Sequence, residues 1–536
     1  MIFQALDWHS YHEKIENERK YMILIFGRTE DNKSICVKVH DFNPYFYIKI
    51  PSTWTTSQVH TLLENAVPKS LFNKLVIDEI KKVVITDTYI QELLVLDDRY
   101  IHIIKKIIND IHNFRIQKSI TDYECIIHNE ILKFEQIIFW KNVQPHISKI
   151  YTVVDNLLKT FMNKEFTEKI EYKIKLFQQA LCSSEIVKKY DVRTFTNNQL
   201  YSFVKLSFTN YTAYMNYVQI FKKKIFYETL TSTPFKYKIY ESDINPILKL
   251  IHLRNLETCG WIEIPDDKYV QNESDYTSRC AINIDTHWIN LHRHNATNMC
   301  KFIIASFDIE CYNETGHFPV PQADPIIQIG TTFSYFGSSE CFYRHIVTLK
   351  QTSELDQIDV ESFDNEKDML IAWGLIIQKM DPDIMIGYNI FGFDYDYIYK
   401  RCIKLDIETH MSKLLSRFIA EQAQFKSHFL SSSALGDNIL KYYHPKGIVQ
   451  IDLMKTIQKD YKLESYKLDS VASYFIKEKI LKIYDNKIDT TSTFGLRKGL
   501  FITIHYNDGL SDIYFQNGKK FQIKDIVDKT IILYDT

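Results

Sequence analysis

The chain has 536 residues, 45% of them hydrophobic and 25% charged, with a formal net charge of −2. That balance excludes a disordered chain and leaves room for roughly three or four domains with cores of their own. It also excludes an overall basic field, so a nucleic-acid partner would have to be held by local clusters of Lys and Arg. The 9 cysteines include no CxxC pair and no His/Cys cluster, which argues against a structural zinc site and a disulfide framework and for a reducing, intracellular compartment. The opening MIFQALDWHSYHEKIENERK lacks signal-peptide architecture, and no apolar run reaches the ~20 residues that span a bilayer. The chain reads as soluble, with no membrane association.

In chain order, KYMILIFGRTEDNKSICVKVHDFNPYFYIKIP (20–51) alternates short β runs with turn residues at Asp31-Asn32 and Asn43-Pro44, which predicts a β-rich domain over 1–130. Residues 131–230 are poor in glycine and space their apolar residues helically, which predicts a helical insertion. Within it FKKKIF (221–226) reads as a solvated basic helix face, with a nucleic-acid contact as the alternative. Residues 231–300 return to mixed texture, as if the first domain resumes, and 301–480 alternate strands and helices. The tail over 481–536 predicts a small β appendage, with a hairpin turn near Asn517-Gly518.

The chemistry gathers in two places. In FIIASFDIEC a strand would send Ile303, Ala305, Phe307 and Ile309 to one face and Ser306, Asp308 and Glu310 to the other. Two carboxylates on one face, their Cα atoms roughly 7 Å apart, can converge on a cation. They can equally be hydrated acids at a strand end rising into solvent. Further on, EKDMLIAWGLIIQKM (366–380) puts Met369, Leu370, Trp373, Ile376, Ile377 and Met380 on one helical stripe, ended by Asp381-Pro382-Asp383. A strand over 384–388, a turn holding Asn389, Phe391, Gly392 and Phe393, and a helix from Asp394 follow. Asp394 fits a metal-binding role or a purely structural N-cap.

Taken together, FDIEC, DPIIQIG (324–330), GYNIFGFDYDYI and DLMKTIQKDYKLESYKLDSVASYFI (452–476) resemble the 3′→5′ proofreading exonuclease portion of the family B DNA polymerases. The opening segment and YESDINP…GWIEI further resemble the N-terminal domain of delta-type polymerases of large DNA viruses. The resemblance implies a mixed α/β chain, with an RNase H-like, DnaQ-like exonuclease domain preceded by the β-rich domain and its helical insertion. It implies two Mg²⁺ ions, with Mn²⁺ as a substitute, held by Asp308, Glu310 and Asp394. Asp308 would bridge both ions, Glu310 would hold the ion that activates water, and Asp394 would bind the second. Asn389 would position the strand end or the nearby backbone. Phe391 and Phe393 would stack on a base or, alternatively, belong to the core. The implied partners are DNA, as a single-stranded 3′ end or a primer-template, and a processivity factor.

The pattern also breaks. The family's third exonuclease motif, Tyr followed four residues later by Asp, is missing after residue 460; Tyr474 with Glu478 is a poor substitute and Asp469 lies too early. The D-x-x-S-L-Y-P-S and Y-G-D-T-D-S signatures of the nucleotidyl-transfer site are also absent from these residues. The expectation is an N-terminal and exonuclease part of a viral replicative polymerase, nearly inactive by itself, whose C-terminal polymerase portion lies on another chain or is interrupted by an inserted element or a truncated gene. The alternatives are a non-catalytic DNA-binding or scaffold remnant, or a standalone DEDD-type exonuclease.

Overall fold

The computed structural model describes residues 1–16, 18–86, 164–193, 195, 197–223, 225, 236–272, 276–338, 340–432, 436–493, 495–507 and 512–534. It forms two compact units, one of residues 1–9, 23–40 and 251–536, the other of 10–22 and 41–250. Among the described residues no helix is long and apolar enough to cross a membrane.

The second of these units is built on a four-stranded antiparallel sheet in the order Leu181–Tyr190, Leu200–Phe208, Tyr45–Lys49, Ile239–Tyr240. Phe46, Ile48, Val204, Leu206 and Phe208 point from it into a core shared with Tyr214, Tyr217 and Phe221 of helix Tyr211–Phe221. Two of these strands fall inside the segment read as a helical insertion. Its described part holds helices Lys164–Gln179 and Tyr211–Phe221 but also strands 181–190 and 200–208, while residues 131–163 and 226–230 lie outside the described residues. The period-two placement of Val204, Leu206 and Phe208 is the signal that outweighs the segment's helical texture.

The first unit opens on a seven-stranded sheet whose central strands are Ile2–Ile15, Glu18–Thr29 and Ser34–His40. The turn between the last two holds Asn32 at φ 65°, a left-handed conformation that asparagine tolerates. The tail forms a five-stranded sheet, with Ile488, Phe521, Ile523, Ile531 and Leu533 as its core. Here the expected hairpin turn at Asn517-Gly518 is not one. Gln516, Asn517 and Gly518 all have positive φ and reverse the chain, but the strands on either side, Asp512–Tyr514 and Phe521–Val527, pair with other partners.

Between these parts lies a mixed six-stranded sheet. Its strands are β1 (Ile303–Cys311), β2 (Ile326–Tyr335), β3 (Cys341–Leu349), β4 (Asp359–Phe363), β5 (Ile384–Gly387) and β8 (Val449–Asp452), in the order β4-β3-β2-β1-β5-β8. β1, β2 and β3 are antiparallel neighbours, while β5 runs parallel to both β1 and β8. Helix α1 (Glu366–Met380) buries Met369, Leu370, Trp373, Ile376 and Ile377 against Phe307, Ile329, Phe333 and Val347 of the sheet, which is the expected stripe except for Met380, only half-buried at its end. Asn365 caps its start by accepting from Asp368 N, and Asp381 ends it at φ 49°. Helix α2 (Asp394–Lys404) adds Tyr395, Tyr397, Ile398 and Cys402 to the same core. Helix α3 (Glu408–Leu414), a hairpin of β6 (Gln424–Ser432) and β7 (Gly436–His444), and helices α4 (Leu453–Asp460) and α5 (Leu468–Phe475) complete the region.

One buried charge cluster fixes the start of β1 to the start of β5. Asp383, wholly inside, accepts from Arg28 Nε at 2.7 Å, from Arg417 at 3.0 Å and from the backbone N–H of Ile303 at 2.8 Å. Arg417 also donates to Asp381 at 2.6 Å. The charges are paired and the remaining polar positions hydrogen-bonded, the condition under which an ion pair can be buried without severe cost.

Candidate active site

The site grows from the end of β1. Ala305, Phe307 and Ile309 are buried, while Asp308 and Glu310 are exposed on the opposite face, as strand alternation requires. Both acids are thus hydrated side chains on a strand whose other face is core. Opposite Asp308 on β2 stands Gly330, and a Cβ built there would meet nothing within 4 Å, so the space beside Asp308 is open. Glu310 faces Gln328, and the register slips directly after it, between Glu310 and Cys311. Such a bulge ends the regular ladder and re-aims the side chains beside it.

The second wall is the turn between β5 and α2. Asn389 sits at φ 63°, and its carbonyl accepts from the N–H groups of Gly392 and Phe393 at 2.9 and 3.0 Å. A Cβ on Gly392 would lie 2.3 Å from the Asn389 side chain, and one on Gly387 would lie 2.8 Å from the Phe307 carbonyl. Glycine is therefore a steric requirement at 387, where the obstacle is backbone, while at 392 the Asn389 side chain would have to move. The turn delivers Asp394 as the first residue of α2. The N-cap is Phe393, without a side-chain cap, so the structural alternative for Asp394 does not hold. Instead the Asp394 carboxyl is buried, and its Oδ1 has no hydrogen-bond partner. Burial, and then the nearby Asp308 carboxylate, push its pKa up to about 7.

The structure therefore brings Asp308 and Asp394 together, with Glu310 two residues along the same exposed face. An unpartnered buried carboxylate oxygen beside a second carboxylate is a costly arrangement that a bound cation relieves, so the residues present fit a divalent metal. Asn389 and the two aromatic residues lie in the adjoining turn. Phe391 is half-buried, with its ring 4.9 Å from that of Tyr442. Phe393 is half-buried and 5.5 Å from Tyr397, with the exposed Phe318 at 5.6 Å. Both pack against the core of this region. Tyr474 lies exposed on α5, and Glu478 accepts from the Thr491 hydroxyl at 2.7 Å, so the carboxylate of the substitute motif is engaged by the tail.

Sequence reasoning missed two residues here. Gly330 was legible only as part of a strand, and Asp452 only as the start of a segment. Asp452, buried at the end of β8, accepts from the N–H groups of Asn389 and Phe391 in the turn, at 3.0 Å each. A D-L pair closing a short apolar strand and opening a helix was a cap signal, but its long-range role carries no local trace.

A separate group is formed by His345, Asp359 and Glu361, cross-strand neighbours on β3 and β4, whose ligand atoms lie within 4.8 Å of one another. These atoms are already engaged. His345 Nε2 lies 3.1 Å from Glu361, and the Tyr343 hydroxyl donates to Asp359 at 2.7 Å. The other imidazole nitrogen is buried without a partner, so it lacks the acceptor that a metal-bound histidine ordinarily uses.

Residues 237–471 match the family model for the DNA polymerase family B exonuclease domain. The chain is 29% identical to a DNA polymerase of Acanthamoeba polyphaga mimivirus over 98% of its own length and 30% of that protein's. It is 28% identical to a DNA polymerase of Pyramimonas orientalis virus over 94% of its length and 44% of that protein's. It is also 36% identical to the DNA polymerase delta catalytic subunit of Oryza sativa subsp. japonica, over 55% of this chain and 26% of the relative. These similarities support a family B DNA polymerase exonuclease portion over residues 237–471. The chain spans less than half the length of each of these relatives.

Proposed function

We propose that this chain is the N-terminal and exonuclease part of a viral replicative DNA polymerase, and that its site hydrolyses the terminal phosphodiester of a single-stranded DNA 3′ end. The observation that carries this reading is the pairing of Asp394, buried with an unpartnered oxygen, with Asp308 on the motif-bearing strand. In this reading the six-stranded sheet with α1 and α2 is an RNase H-like, DnaQ-like fold.

Asp308, Glu310 and Asp394 would hold the metal, two Mg²⁺ or Mn²⁺ ions in the family's manner. When bound, such ions supply activation of water and stabilisation of the leaving 3′-oxygen. Burial of Asp394 keeps it out of bulk solvent and orients it toward Asp308. Exposure of Asp308 and Glu310 leaves the other side of the site open to a strand end, and the bare backbone at Gly330 keeps space for it. Asn389, Phe391 and Phe393 would line the approach. The rest of a family B polymerase would complete the ligand set and carry nucleotidyl transfer and contacts to a processivity factor.

The test is metal-dependent trimming of a 3′-labelled single-stranded oligonucleotide by this chain together with a polypeptide carrying the remaining polymerase sequence. Asp308→Ala should abolish trimming while DNA binding survives. Unchanged trimming by that variant refutes the metal assignment.

A further inference from the structure

Asp452 does more than cap a helix. Its carboxylate accepts four backbone N–H groups from two separate segments. Oδ1 takes Met454 N at 2.9 Å and Lys455 N at 3.4 Å, which is an ordinary N-cap for α4. The same oxygen also takes Asn389 N at 3.0 Å, and Oδ2 takes Phe391 N at 3.0 Å. Those two donors are 63 and 61 residues away in sequence and belong to the turn that delivers Asp394.

The turn depends on that anchor. Asn389 holds a left-handed φ of 63°, and its N–H and that of Phe391 point inward, where an unpaired donor would cost ~1–3 kcal/mol. The two strands also meet here, since Gly387 of β5 pairs with Asp452 of β8. On the far side the Phe391 carbonyl accepts from Lys441 N at 2.9 Å, so the turn is held from β7 as well. Of these contacts, the one made by a side chain is the Asp452 carboxylate. From this geometry we infer that Asp452 is a positioning residue: it fixes the 389–391 backbone and, through it, the place of the Asp394 carboxylate relative to Asp308. The inference rests on the proposed metal-binding role of Asp394.

The test uses the full chain and Mn²⁺ as the probe, with affinity read by calorimetry or by the paramagnetic signal of free Mn²⁺. Asp452→Ser keeps an oxygen that can cap α4 but is too short to reach the turn. Asp452→Asn keeps one acceptor and sets an amide NH₂ against the other donors. Both should weaken Mn²⁺ binding about 10–100-fold, the usual cost of losing an outer-shell partner, at a temperature where every variant is folded; Tm should also fall, since the freed turn N–H groups cost ~1–3 kcal/mol each. A purely capping role would leave the Ser variant's Mn²⁺ affinity unchanged, and that result overturns the inference. Asp394→Ala separates the two readings. If it binds Mn²⁺ as the unaltered chain does, the metal site itself is misassigned and the role of Asp452 falls with it. If it abolishes binding while both Asp452 variants bind normally, only the positioning role is lost.

Discussion

Asp394, at the first position of α2, and Asp308, on β1, stand together as a buried carboxyl and an exposed one. The pKa of the buried member is pushed up to about 7, by burial first and by its partner second, so a large share of it is protonated near neutrality. That is the pattern expected of a site built for a cation and destabilised without one.

This arrangement should raise stability when it is removed. In chelator-containing buffer Asp394→Asn is expected to raise Tm by a few degrees, because the buried like-charge contact disappears. The unaltered chain should gain Tm on addition of Mg²⁺ or Mn²⁺, and the variant should not. A lower Tm in chelator would mean that the carboxyl is structurally required, contrary to this account.

Gly330 offers a test that leaves the acids untouched. Since a Cβ there meets open space, Gly330→Leu should fold with little change in Tm. Its side chain would share the face of Asp308 directly across the ladder. Trimming in the complemented assembly should fall at least tenfold, with DNA binding less affected. Full activity would show that the space beside Asp308 is not used by substrate.

How much of this was legible in the sequence depends on the range of the interaction. The strand bearing Asp308 and Glu310 could be read because period-two alternation is local, and Ala305, Phe307 and Ile309 are buried as that alternation requires. The α1 stripe and its stop at Asp381 could be read for the same reason. The two strands over 181–208 were hidden by the helical texture of the segment around them, although Val204, Leu206 and Phe208 keep period two in the second. Their pairing with each other and with Tyr45–Lys49 decides them. The pairing of Asp452 with a turn some sixty residues earlier has no sequence signature at all.

The Asp383 cluster predicts a large stability effect. Asp383→Ala would leave Arg28 and Arg417 short of their buried partner and the Ile303 N–H without an acceptor. The expected loss is about 3–5 kcal/mol, measurable by denaturant unfolding. A loss under about 1 kcal/mol would place the cluster among ordinary exposed ion pairs.

Lys249, in the unit of residues 41–250, gives a pH dependence with a definite sign. Burial pushes its pKa down to about 8, and its ammonium donates to the Tyr45 carbonyl. Below about pH 8 the lysine is charged in both folded and unfolded states, and the cost of burying it is fully present. Between about 8 and ~10.5 the unfolded chain holds a proton that the folded chain has released, so this group makes stability rise with pH. The stability of the native sequence relative to Lys249→Met should therefore increase from pH 7 to pH 10, by roughly 2–3 kcal/mol. A flat difference would mean that the ammonium stays hydrated.

The Asp383 cluster also bears on the order in which the molecule can be made. Arg28 and Asp383 are 355 residues apart. At a synthesis rate of ~5–20 residues per second, the guanidinium of the emerging chain waits roughly 20–70 s before its partner exists. During that interval the early strands can pair with one another, but the charge that will be sealed at the base of β1 has no neutralising neighbour. The three central strands of the N-terminal sheet can therefore pair early on the ribosome, while the strand that carries Asp308 is set in place only after residue 417 has emerged.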